Sequence, residues 1–270
     1  MGVPPNLRLT GVDGAVWTFD TGEPVTLKSV SGLGGGQYTF DDVKSVGQAG
    51  VTWVARNDDP NVTTISANLK VPGTGTERLA VLDDWLTSLG RGTAQTSGGD
   101  LMELRCLDSD RYQHVRLVTV LDPPYPQVYS TGFWRFEMAL RSDETWWRTD
   151  PYIDSFTAAE FTAATVQVNG NEPVWPHLKL TGPITTPVVG WAGDTVTLPD
   201  VTAGHWLDIE TDPNLWSVVD DLGVDKSWIG DRWYTQLPKG AAVPVTITGT
   251  GTTGATLLEV TVPQLYYRAL

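Results

Sequence analysis

Four Asp-Asp pairs, three histidines and one cysteine are the side chains of this 270-residue chain that could do acid–base, nucleophilic or metal chemistry. The pairs are Asp41-Asp42, Asp58-Asp59, Asp83-Asp84 and Asp220-Asp221. A hydrolase can cut a glycosidic bond between two carboxylates held ~5–9 Å apart. Neighbours along a strand point to opposite faces, so adjacency does not make such a pair. Aspartate is also common in turns, and all four pairs read as solvated turns or faces. Asp220, Asp221, Asp225 and Asp231 form the densest acidic cluster. Oxygen ligands of that kind suit calcium, but the spacing departs from the helix–loop–helix calcium register.

His114, His177 and His205 lie far apart, and neither H-E-x-x-H nor G-x-S-x-G occurs. Cys106 alternates with Met102 and Leu104, which makes it a buried thiol rather than a nucleophile. One cysteine also excludes an internal disulfide and a multi-thiolate zinc site. Gly249-Thr250-Gly251-Thr252-Thr253-Gly254 matches G-x-G-x-x-G, but a strand pattern follows it where a pyrophosphate site needs a helix. It reads as a hairpin loop. Asn61-Val62-Thr63 is a glycosylation sequon without a secretory signal before it. No catalytic constellation emerges, and neither a cofactor nor a metal is expected: catalytic, cofactor-binding and metal residues are all read as none.

Composition points the same way. Eighteen basic against 32 acidic residues give a net charge of −14. Residues 1–150 carry 13 basic and 19 acidic residues (−6), and residues 151–270 carry 5 and 13 (−8). Such a chain has little whole-molecule attraction for phosphate backbones or anionic membranes. The start, MGVPPNLRLTG, has no apolar signal-like run, and no stretch is long enough to span a bilayer. The expectation is synthesis in a reducing cytoplasm. Twelve Trp stand out and suit either a core or a ligand platform. Trp175, Trp206 and Trp233 fall at strands, where burial is expected, while Trp191, Trp216 and Trp228 stay open.

The elements that must position these residues are mostly strands. Short β runs cover 15–19 and 25–30, followed by Gly32-Leu33-Gly34-Gly35-Gly36, read as a flexible loop. Runs at 51–55 and 63–71 frame a polar hairpin loop at 56–61. Leu79, Leu82, Leu86 and Leu89 place one apolar face on a helix over 77–89, with Thr76 and Gly90 as caps. Strands with clean alternation follow at 101–107, 114–121 and 133–141. Asp122-Pro123-Pro124-Tyr125-Pro126 reads as a rigid loop. After a linker at 151–171, strands at 177–181, 195–198, 206–209 and 233–237 suggest a β-sandwich. Val243, Val245 and Ile247 are expected to pair with Leu258, Val260 and Val262.

The order of these features resembles a known family. Trp17-Thr18-Phe19, Val25-Thr26-Leu27 and the glycine-rich 32–36 are followed by the helix and by Gly99-Asp100-Leu101. Trp134-Arg135-Phe136-Glu137-Met138 then runs into Arg141-Ser142-Asp143-Glu144-Thr145-Trp146-Trp147. Gly170-Asn171-Glu172-Pro173-Val174-Trp175-Pro176, Leu180-Thr181-Gly182-Pro183, Leu207-Asp208-Ile209-Glu210-Thr211 and Leu237-Pro238-Lys239-Gly240 follow in order. This series is similar to the distal tail (Dit) family of siphophage tail tips, also called minor tail proteins. Two departures are Arg141-Ser142-Asp143-Glu144, where many relatives place Asp-Pro, and Asp208-Ile209-Glu210, where many have Ile-Asp.

The resemblance implies a mainly β protein. Its N-terminal β-sandwich or barrel ring domain (1–150) would carry one α-helix at about 77–89. A C-terminal galectin-like β-sandwich (172–270) would follow. It implies a non-enzymatic virion component at the distal end of the tail. The chain would form a homo-oligomeric ring, expected to be hexameric, around the DNA exit channel. Its partners would be the tail tube protein, the tail-tip hub and receptor-binding proteins, with no sequence-specific nucleic acid and no membrane. An acidic channel would repel DNA. The alternative is a carbohydrate-binding module that touches host cell-wall glycans.

Overall fold

The computed structural model describes residues 5–90, 101–119, 121–229 and 231–270. The chain start and the 91–100 run, with Gly99 and Asp100 of the resemblance, lie outside them. Two compact units are present. Unit 1 comprises Met1–Trp147 and Tyr267–Leu270, and unit 2 comprises Arg148–Tyr266.

Unit 1 runs β1 (Leu7–Thr10), β2 (Val16–Thr18), β3 (Val25–Ser31), β4 (Tyr38–Val43), β5 (Thr52–Asp58), β6 (Asn61–Lys70) and α1 (Gly75–Ser88). It continues through β7 (Met102–Cys106), β8 (Arg111–Leu117), α2 (Tyr125–Thr131) and β9 (Phe133–Ser142). β2-β1-β7-β8 form one antiparallel run, and β8 also pairs with β9, which continues to β6 and β3. Strict period-two alternation sets which face is inward. In β6, Ile65, Ala67 and Leu69 are buried; in β9, Trp134, Phe136, Met138 and Leu140 are.

The helix α1 covers that inner face, as its leucine spacing predicts. Its Trp85 is fully buried and meets Trp17 edge-on at 5.2 Å, Phe19 at 6.2 Å and Phe136 at 5.6 Å. Thr74 caps the helix, its backbone N–H donating to Glu77 Oε2 at 2.6 Å and its hydroxyl donating at 2.9 Å. These bonds hold the Glu77 carboxyl below the ordinary carboxylate range. The cap lies two residues before the expected Thr76.

Two local expectations change here. The proline-rich loop contains α2, because Pro124 is its N-cap and Pro126 falls in the first turn, where no N–H is needed. The polar run 56–61 is not a hairpin loop: Arg56, Asn57 and Asp58 belong to β5, and the break falls at Asp59-Pro60. β5 pairs with β4, not with β6, which pairs with β3 and β9.

Unit 2 takes in β10 (Trp147–Thr157) after its first residue. It continues with β11 (Thr165–Val168), β12 (His177–Thr181), β13 (Thr185–Trp191), β14 (Asp194–Thr197), β15 (Trp206–Glu210), β16 (Ser217–Asp220), β17 (Gly240–Thr250) and β18 (Leu257–Tyr266). One sheet runs β16-β15-β12-β18-β10, and the other runs β11-β17-β13-β14. Their inner faces share one apolar core, which makes this unit a β-sandwich.

The stretch 151–171 is therefore not a bare linker. It holds most of β10, a short 3-10 turn at Phe161–Ala163 and β11, because Phe156, Phe161, Val166 and Val168 are core residues. β17 and β18 do not pair either. Val243, Val245 and Ile247 meet Leu258, Val260 and Val262 across the core, from opposite sheets. Two apolar-inward strands look alike whether they are neighbours or face each other. The run 233–237 is not a regular strand; Leu237 makes one isolated bridge to Val174.

The indoles of Trp191 and Trp233 stack at 5.1 Å and 13°, both buried. Each donates to a carbonyl: Trp191 Nε1 to Thr235 at 2.7 Å, Trp233 Nε1 to Val189 at 3.1 Å. Half-buried Trp216 meets Trp233 edge-on. Replacing Trp233 by Ala is expected to cost about 4 kcal/mol by opening a cavity and leaving the Val189 carbonyl without this donor. Urea unfolding of the full chain checks this, and Trp233→Phe should lose less than the alanine variant.

Candidate assembly site

The residues nominated for chemistry do not converge. His177 Nε2 lies 2.8 Å from Asp208, and His205 Nδ1 lies 2.9 Å from Asp221, on separate patches of unit 2. His114 packs edge-on against Tyr112 in unit 1. Cys106 is buried in β7. Asp220 accepts backbone N–H groups of Val224 (2.8 Å) and Leu222 (3.0 Å), and these bonds, Val224 first, hold its carboxyl below the usual range. Asp225 is lowered in the same way by the hydroxyl and N–H of Ser227. Asp231 accepts the Arg232 N–H. These carboxylates shape turns, and no group of three metal-ligating side chains gathers among the described residues. The 249–254 glycine run joins β17 to β18, in different sheets, with no helix after it. Among the described residues no helix is long and apolar enough to cross a membrane.

The feature that calls for an explanation is the β4–β5 hairpin. It is an excursion between β3 and β6, which are themselves paired neighbours. Every residue of β4 is exposed, and β5 is exposed apart from half-buried Ala55. Tyr38 and Phe40 share one face with Arg56, their rings 5.3 Å apart. A bulge at Val54 puts Trp53, which pairs with Asp42, on that same face, and Val43, Val51 and Val54 add exposed apolar surface. Trp53 is 62% exposed and Phe40 55%. An isolated two-stranded hairpin is marginal in water, and its exposed aromatic face gains nothing until something covers it.

Its base is firmly held within unit 1. Arg56 lies over the Tyr38 ring at 4.5 Å and over Trp146 at 5.7 Å, and Trp146 meets Tyr267 edge-on at 5.0 Å. Residues 267–270 return to this region: the Ala269 N–H donates to Leu33 O at 2.8 Å, and the Ser109 hydroxyl donates to Ala269 O. The glycine loop is correspondingly not free. Gly35 has φ +87° and sits so near the Tyr267 carbonyl that a Cβ would collide with it, and at Gly36 a Cβ would strike Asp59 O. A polar cleft of about 440 Å³ opens beside it, lined among others by Ser31, Gln37, Asp59 and Asn61. Asn61 is buried there, its amide donating to Gln113 Oε1 at 2.7 Å.

The sequence marked the glycines but not the arm beyond them. The run 51–55 reads as an ordinary strand, 56–58 as loop and 38–43 as no element, and the exposure of β4 and β5 follows from a missing cover that sequence does not reveal. Of the open tryptophans, Trp191 is core, Trp216 half-buried and Trp228 exposed.

No family model and no curated protein matches the chain. Solved structures do. The Dit (gp 19.1) protein of phage SPP1, described as a paradigm of hub adsorption apparatus in phages infecting Gram-positive hosts, aligns with TM-score 0.67 and 11% identity. That alignment covers 95% of this chain and 98% of the SPP1 chain. A chain of the phage P2 baseplate, activated with Ca, aligns at 0.54 and 12%, covering 97% and 98%. The same baseplate with Sr gives 0.52 and 13%, covering 96% and 98%. The mainly β fold is thus that of a distal tail protein. Arg56→Ala is expected to speed amide exchange across β4–β5 at least tenfold by releasing the base, as hydrogen exchange with mass spectrometry will read. Global stability should fall by only about 1 kcal/mol or less, since an exposed cation–π contact is worth little more.

Proposed function

We propose that this protein is a structural subunit of a phage tail tip or baseplate, a distal tail protein of the Dit family. Copies of it form a ring, hexameric in this reading, around the DNA exit channel. The ring joins the tail tube to the tail-tip hub and its receptor-binding parts, at the distal end of the virion. The fold likeness over nearly the whole chain supports the class. The observation that carries the ring is the β4–β5 hairpin, held at its base and with Tyr38, Phe40 and Trp53 exposed on one face. Closed rings need a head-to-tail interface between two different surfaces of each subunit, and a projecting apolar arm supplies one of them. The reading is non-enzymatic, since the histidines and the clustered carboxylates are engaged in pairs and turns.

Mass measurement in solution tests it. The full chain should show concentration-dependent association, or association once tail-tube or hub protein is added. Phe40→Glu with Trp53→Glu should stay monomeric in both conditions and keep the wild-type melting curve. Association of that variant at wild-type concentrations would remove the hairpin from the interface.

A second reading has one observation in its favour. Trp228 (79% exposed) and Tyr234 (76%) present bare rings on unit 2. Flat exposed aromatics are what a pyranose stacks on. Cell-wall glycans titrated at millimolar concentration should then shift Trp228 fluorescence, and Trp228→Ala should abolish the shift. Absence of any shift ends this reading.

A further inference from the structure

The uncovered face of the β3–β6–β9 sheet carries charge opposite to that of the whole chain. Period-two alternation sends the apolar residues of β6 and β9 inward and the polar ones out. The outward residues of the three strands include four cations, Lys28, Lys70, Arg135 and Arg141, and one carboxylate, Glu137. All five are exposed. In a chain of net charge −14 this is a local reversal of sign.

The register places three of these cations around one point. Thr26 pairs with Asn68, and Asn68 pairs with Arg135, giving a row across three strands. Lys70 follows Asn68 by two residues on the same face, roughly 7 Å along the strand. Lys28 sits in the bulge of β3 between Leu27 and Ser29, opposite Ala67 and Ser66. Neighbouring strands are ~4.8 Å apart, so all three cationic stems rise within roughly 10 Å of Asn68. Among the described residues, the Lys28, Lys70 and Arg135 side chains have no ion-pair or hydrogen-bond partner, nor has the Asn68 amide. Arg141, by contrast, is engaged by Asp143 at 3.4 Å.

We infer that this face is a binding surface for a phosphodiester backbone, read without base specificity. The donor set is the argument. Phosphates are held by Arg and Lys together with Ser, Thr and Asn, and Thr26, Ser66 and Asn68 lie between the cations. A protein partner would call for several aromatic anchors and few Lys or Ser, whereas this face carries a single exposed ring, Phe133, beside Lys70 at its edge. Whole-chain charge opposes binding at long range, while the three cations act at contact. The result is weak, salt-sensitive association that holds duplex DNA loosely. This inference does not depend on ring assembly.

Anisotropy of a fluorescent 30-bp duplex titrated with the full chain tests it. Saturable binding is expected at 50 mM salt, weakening roughly 40-fold by 200 mM for three released counterions. Lys28→Gln with Lys70→Gln and Arg135→Gln should weaken binding at least tenfold. Glu137→Gln should tighten it two- to fivefold, a gain that damage to the fold would not produce. Lys179→Gln with Lys226→Gln and Lys239→Gln, which removes the same charge from unit 2, should stay within twofold of wild type. No saturable binding at 50 mM salt overturns the inference. So does wild-type affinity in the first triple variant. Polyglutamate that binds more tightly than DNA of equal charge also overturns it and assigns the face to an acidic protein.

Discussion

Burial of a large ring between two polar-backed surfaces is the constraint on which both units depend. Trp85 is the fixed point of unit 1. It stands on the only long helix among the described residues and touches aromatic side chains of two separate strand regions, Trp17 and Phe19 at β2 and Phe136 on β9. In unit 2 the stacked pair Trp191 and Trp233 has the same place. Large aromatics remove much apolar area from water at little conformational cost, and a small number of them can define a core made otherwise of short side chains. Trp17, Trp85, Trp191, Trp216 and Trp233 take part in this packing, while Trp53 and Trp228 are exposed, as is Trp206, whose strand position predicts burial.

What remains outside these cores divides into surfaces of distinct chemistry. The hairpin exposes aromatics on one side, the β3–β6–β9 face is cationic, and Asp220 and Asp225 of unit 2 hold turns. Each of these surfaces offers a different chemistry to the solvent.

The elements legible in the sequence are those whose pattern is decided locally. α1 follows from Leu82 and Leu86, and β9 from strict alternation across Trp134 to Leu140. Several of the failures share a physical cause, in that they turned on which element lies opposite. Alternation in 243–247 and 258–262 fixes inward faces but not whether the strands are neighbours or partners across a core. Asp122-Pro123-Pro124-Tyr125-Pro126 suggested a loop because adjacent prolines do not fit a central strand, yet Pro124 and Pro126 occupy positions at a helix start that need no N–H. Phe156 and Phe161 seemed too sparse for structure because their partners lie in another sheet. The hairpin was hidden for the same reason, since Tyr38, Phe40 and Trp53 would be unremarkable had they been covered.

The return of residues 267–270 to unit 1 also sets a timetable. Ala269 is fully buried there, against the loop that begins the hairpin, and all of unit 2 precedes it in the chain. A ribosome adds ~5–20 residues each second, so roughly ten seconds separate the last strand of unit 1 from the arrival of this clasp. During that interval the hairpin exists while its footing is incomplete. The arm becomes properly seated only on a chain whose second unit has already been made.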